Sequence, residues 1–314
     1  CEKLINVNYM PFEYPKASVK LVEGAKNLKW RVEEVPRWVK YSSFEENRSN
    51  LGFRQSMTET IYKNLNNNLL KVETNTNVIK IIKHQKSKYS LRIKDENGLI
   101  SETKLFDAIF IAAGAIDTPC LIQKSSLGNK NIGYNLRMHA TIKLNAKFEE
   151  VICNNKTNIS VHQVNEFYSK YSFGGSITNL PLLSMSLAEN GINPLNLIDK
   201  WRYFYTYYSM ISSGYGSVKY MSLLDKPIVR FKLTNNELKL IFEGLEKLGK
   251  LLFSCGATHI YPSIKGQASF TQKNFNNIGS NIDKKNLRLF TVHLMGTCPI
   301  GNNENACTKE NGQL

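Results

Sequence analysis

The clearest periodicity in the chain lies over residues 238–252. There Leu238, Ile241, Phe242, Leu245, Leu248, Leu251 and Leu252 fall on one stripe at helical spacing. Thr234 precedes the stripe as a cap, Glu237 completes a capping box, and Cys255-Gly256 ends it. Weaker patterns predict helices over 17–28, from Ser56 to an asparagine cluster at 64–68, and over 180–187. β-branched runs and two-residue alternation predict strands over 69–74, 78–82, 141–148, 218–223 and 228–233. Residues 89–94 and 99–105 flank Glu96-Asn97-Gly98 and read as a hairpin.

The run 106–113, apolar but for Asp107, ends in small residues before Gly114, the pattern of a buried parallel strand feeding a tight turn. Pro119 then suits the first turn of a helix over 120–123, with Asp117 or Thr118 as its cap. Small residues at Ala112, Ala113, Gly114 and Ala115 let a backbone approach a flat or phosphorylated ligand, and serve equally for close strand–helix packing. Residues 1–50 show little periodicity and carry Pro11, Pro15 and Pro36 beside Trp30 and Trp38, the composition of an irregular lid or binding segment.

Composition narrows the function classes. The net charge is +15, yet lysine and arginine are spread from Lys3 to Lys309, so the excess predicts nonspecific attraction to polyanions and no specific nucleic-acid binding. No run reaches the roughly 18 apolar residues of a membrane span. The chain opens on Cys1-Glu2-Lys3-Leu4, which is neither a leader nor a start, and reads as an internal piece. Six scattered cysteines without a Cys-x-x-Cys fit reduced thiols in a cytoplasm, and no metal spacing is present. Gly214-Tyr215-Gly216 starts like a dinucleotide fingerprint but lacks the third glycine and precedes a strand. The aromatic cluster at 201–208 suits a core better than a cavity wall.

The candidate chemistry sits near the end. A short apolar run delivers His293 to a loop punctuated by Gly296, Pro299 and Gly301. An imidazole titrates near neutrality and can move a proton there, although a lone histidine is as a rule structural. The sequence His293-Leu294-Met295-Gly296-Thr297-Cys298-Pro299-Ile300-Gly301 resembles the C-terminal signature of the glucose–methanol–choline (GMC) family of flavoprotein oxidoreductases. Arg54-Gln55-Ser56-Met57, Val78, Ala112-Ala113-Gly114-Ala115-Ile116 with Pro119, and Gly133-Tyr134-Asn135-Leu136 with His139 follow in the family's order.

That resemblance implies an α/β (α+β) fold. An incomplete FAD-binding domain with a mixed or parallel sheet would span 49–134 and 284–314. A substrate domain with an antiparallel sheet flanked by helices would span 135–283, behind a lid segment at 1–48. It also implies FAD as cofactor, bordered by Val78, Ala113, Gly114 and Ala115, a small-molecule alcohol substrate, an electron acceptor of open identity, and His293 as catalytic base. His139 reads as structural. The family's Gly-x-Gly-x-x-Gly segment and its final helix have no counterpart here, so this stretch alone is expected to be inactive. A truncated, non-catalytic remnant or an interaction module is the alternative reading.

Overall fold

A computed structural model describes residues 5–41, 53–62, 70–153, 160–275, 278 and 282–314. The chain divides into two compact units, one of residues 1–67, 140–212 and 235–290, the other of 68–139, 213–234 and 291–314. Two long strands, Tyr134–Lys147 and Phe204–Met221, contribute residues to both.

The first unit is an antiparallel sheet with helices against it. Strand His259–Pro262 pairs with the 144–147 stretch, and the 207–210 stretch pairs with Ser172–Gly175, which pairs with His162–Val164 and so with Val32–Glu34. Helix α1 (Lys16–Asn27) forms close to the expected bounds despite the irregular composition around it. Gly24 lets it approach the long helix Asn235–Ser254: a Cβ there would stand 2.6 Å from the Leu251 carbonyl oxygen. The predicted stripe of the long helix is its buried side, with Leu245, Leu248, Leu251 and Leu252 inaccessible. Gly256, at φ +91°, returns its N–H to Phe253 O and closes the helix as its sequence indicates.

Elsewhere in this unit the aromatic cluster is core. Phe204, Tyr205 and Tyr207 are buried, and the Tyr207 hydroxyl donates to Ala17 O at 2.9 Å. The helix Leu180–Glu189 is capped by Asn179, whose side chain accepts from Leu182 N. Its Ser186 accepts from Asn145 Nδ2 at 3.0 Å, and Asn145 Oδ1 accepts from Thr206 at 2.7 Å, so three buried polar groups satisfy one another. Burial pushes the Cys153 and Cys255 thiols up to about 12, which suits inert, reduced side chains.

The second unit holds the predicted hairpin as strands Tyr89–Lys94 and Ile100–Glu102, with Asn77–Lys83 alongside. Four expectations differ from the structure. Residues 70–74 form no strand. The helix from Ser56 is one turn, Met57–Thr60, its Ser56 cap accepting from Glu59 N as expected; the asparagines at 64–68 lie outside the described residues. Residues 107–112 form no buried parallel strand: Phe106 bridges Tyr89, and Phe110 is 95% exposed. A parallel strand takes its order from backbone partners on a neighbouring strand, and none of the described residues supplies them. The following helix, Gly114–Lys124, begins six residues before the expected 120–123, placing Pro119 inside it.

Candidate active site

The chemistry-bearing motifs converge within the second unit. The strand Leu294–Met295 pairs antiparallel with the long strand through Leu294↔Met138 and Met295↔Arg137. That register brings His293 beside His139, with ring centroids 5.1 Å apart and planes at 60°. His139 N donates to His293 O at 3.4 Å, and the Thr291 hydroxyl also donates to that carbonyl. His293 is exposed and His139 half-buried. Burial, and then the nearby His293, hold the His139 pKa below its ordinary value.

Behind the histidines the loop is pinned at three points. Gly296, at φ +86°, leaves only 2.5 Å between an added Cβ and Asn135 O, so a side chain there would force the two segments apart. Asn135 Nδ2 in turn donates to Gly296 O at 3.4 Å. Thr297 is buried: its carbonyl accepts from Gly133 N at 2.8 Å, and its hydroxyl donates to Ala115 O at 2.8 Å. Gly133, at φ +88°, in turn accepts from Val218 N at 2.7 Å. Sequence reasoning assigned no role to Thr297 or Asn135; the small-residue motif and the Asn-Leu pair were visible, but their partners across 161 or more positions were not.

The turn Ala112-Ala113-Gly114 is exposed, and nothing stands within 4 Å of a Cβ built on Gly114 at φ +84°. The helix it opens packs against both the strand carrying Val78 and the strand that follows His293. Val78 is half-buried and paired with Ile93, with a register shift before Lys80. Open space beside small residues at a helix start fits the near side of a flat, phosphorylated group. Gly214 and Gly216, by contrast, face the Phe231 ring and the Arg230 carbonyl across a hairpin, so the false fingerprint is a packing feature. Among the described residues no group of three or more His, Cys, Asp or Glu is placed to hold a metal.

Residues 1–141 match the family model described as GMC oxidoreductase. An uncharacterized GMC-type oxidoreductase, y4nJ, of Sinorhizobium fredii is 30% identical over 98% of this chain and 62% of its own length. An uncharacterized GMC-type oxidoreductase, MT0511/MT0512, of Mycobacterium tuberculosis is 26% identical over 70% of this chain and 35% of its own. The chain thus spans about three fifths, or less, of the relatives it matches. An FAD-dependent oxidoreductase from Chaetomium thermophilum shares the fold, with TM-score 0.56 and 13% identity over 80% of this chain and 58% of that one.

Proposed function

We propose that this chain, which resembles the GMC oxidoreductases along nearly its whole length, is part of an FAD-dependent enzyme that oxidises an alcohol CH–OH to a carbonyl. The observation that supports the reading best is the pinning of 293–297 to both Ala115 and 135–139, stretches far from it in sequence. Together they set the His293 ring against the His139 ring and tie the loop that follows His293 to Ala115. FAD, when bound, supplies the two-electron acceptor.

The chain's own residues take the remaining roles. Val78, Ala113, Gly114 and Ala115 border the cofactor, the last three leaving backbone rather than side chain on the approach. His293 accepts the substrate hydroxyl proton at a ring nitrogen, so no free alkoxide persists while the C–H bond breaks. Thr297 and Gly296 keep that imidazole in place through Ala115 and Asn135. We assign cofactor contact to 49–134 and 284–314, and substrate contact to 135–283 with 1–48 as a covering segment.

The test uses the full-length, FAD-loaded protein. Anaerobic mixing with a panel of small alcohols should bleach the flavin's visible absorbance. His293→Asn should keep that absorbance and lower the rate of bleaching by about a hundredfold or more. Unchanged rates in the variant would remove His293 from the role of base. Failure of every alcohol to bleach the wild type would remove the CH–OH reading itself.

A further inference from the structure

The hairpin formed by the end of Phe204–Met221 and the strand Lys226–Lys232 has two unlike faces. Pairing runs from Met221↔Lys226 to Tyr215↔Lys232. Alternation therefore sets Tyr220, Val218 and Gly216 with Pro227, Val229 and Phe231 on one face. On the Phe204–Met221 strand that face is partnered: Val218 is fully buried with Cys120 and Leu136, and Tyr220 N donates to Gln123 Oε1 at 2.7 Å.

The other face carries Tyr215, Ser217, Lys219 and Met221 with Lys226, Ile228, Arg230 and Lys232. It holds four exposed cations and no acid. None of the four has an ion-pair partner among the described residues. Two exposed aromatic rings lie among the charges: Lys219 Nζ is 5.2 Å from the Tyr134 ring, and Arg137 Cζ 5.8 Å from the Tyr215 ring. At the tip, Leu223 is 89% exposed and Leu224 59%. The turn's own acid, Asp225, is already matched, by Lys124 at 2.6 Å and the Tyr220 hydroxyl at 2.7 Å.

We propose that this hairpin docks the protein on an anionic lipid surface, Leu223 and Leu224 entering the interface while Lys219, Lys226, Arg230 and Lys232 meet the headgroups. Charge complementarity selects a polyanion, and the adjacent leucines select among polyanions. A phosphate backbone gives two leucines nothing to bury against, whereas the acyl boundary lies only about 5–10 Å below the headgroups. Lys219 and Lys226 stand three residues and one residue from the turn, at headgroup height when the tip is immersed. The contact is peripheral and needs no spanning segment.

Co-sedimentation of the full-length protein with vesicles tests this. It should bind vesicles of phosphatidylcholine mixed with phosphatidylglycerol, bind phosphatidylcholine alone far less, and release with added salt. Leu223→Ser with Leu224→Ser should weaken partitioning about tenfold or more, because the apolar term is lost. Lys219→Glu with Lys226→Glu should weaken it at least as much. All four sites are on the surface, so melting temperature should not move. In a separate measurement, Leu223→Trp should shift its emission to the blue with the mixed vesicles only. The proposal is overturned if the full-length protein ignores mixed vesicles, or if the leucine pair can be replaced without effect, which would leave only diffuse attraction from the +15 charge. Binding to RNA through the same lysines without vesicle binding overturns it as well.

Discussion

The Thr297 hydroxyl makes the hydrogen bond to Ala115 O that Pro119 is unable to make. In the helix Gly114–Lys124 the carbonyl of Ala115 would ordinarily receive the N–H four residues on, and that residue is proline. The loop after His293 is thereby tied to a carbonyl the helix leaves open. Thr297→Val should cost about 1–2 kcal/mol, because a half-buried acceptor loses its partner. Urea unfolding of the full-length protein measures this, and Thr297→Ser should recover most of the loss.

Gly296→Ala tests the same attachment from the other side. Its positive φ and the 2.5 Å approach to Asn135 O both oppose a side chain. The substitution should lower stability by about 1–3 kcal/mol. By the proposed function it should also slow flavin bleaching by alcohol, since it displaces the segment that carries His293. Normal bleaching kinetics in a folded Gly296→Ala protein would show that the pinning does not matter to the chemistry.

The half-buried His139 makes stability depend on pH. His139 has a folded-state pKa below its ordinary 6.5, through burial first and the His293 charge second. The unfolded chain therefore binds the proton more readily, and stability falls as pH drops below about 6.5 toward the folded-state value. Above 6.5 both states are neutral at this site and the term vanishes. His139→Asn should flatten that acid-side decline in urea titrations, while a decline of unchanged slope would place the acid sensitivity elsewhere.

In the first unit, Gly24→Ala should be the harsher of two small changes. An added methyl at 2.6 Å from the Leu251 carbonyl must separate two helices, at about 1–3 kcal/mol. Tyr207→Phe removes only the hydroxyl that donates to Ala17 O, at about 1 kcal/mol. Thermal melts of both variants, compared with the parent, rank the two effects.

Local and periodic features were open to reading from residues alone. The stripe from Leu238 to Leu252 needs only its own spacing to declare a buried helical side, and Glu96-Asn97-Gly98 needs only its neighbours to declare a turn. The order of the motifs likewise pointed to the GMC-like chemistry, because motif order is a property of the chain. Other features depended on partners distant in sequence. The run 106–113 has the composition of a buried strand, but burial and pairing are supplied by neighbouring backbone, and Phe110 is exposed where none of the described residues provides it. Pro119 gave the wrong helix start, because a carbonyl left open inside a helix is tolerable only when a residue such as Thr297, 182 positions away from Ala115, satisfies it. His139 and His293 were each visible as single imidazoles. Their ring contact follows from the register Leu294↔Met138, and a register between strands so far apart is set by packing and backbone hydrogen bonding across the fold.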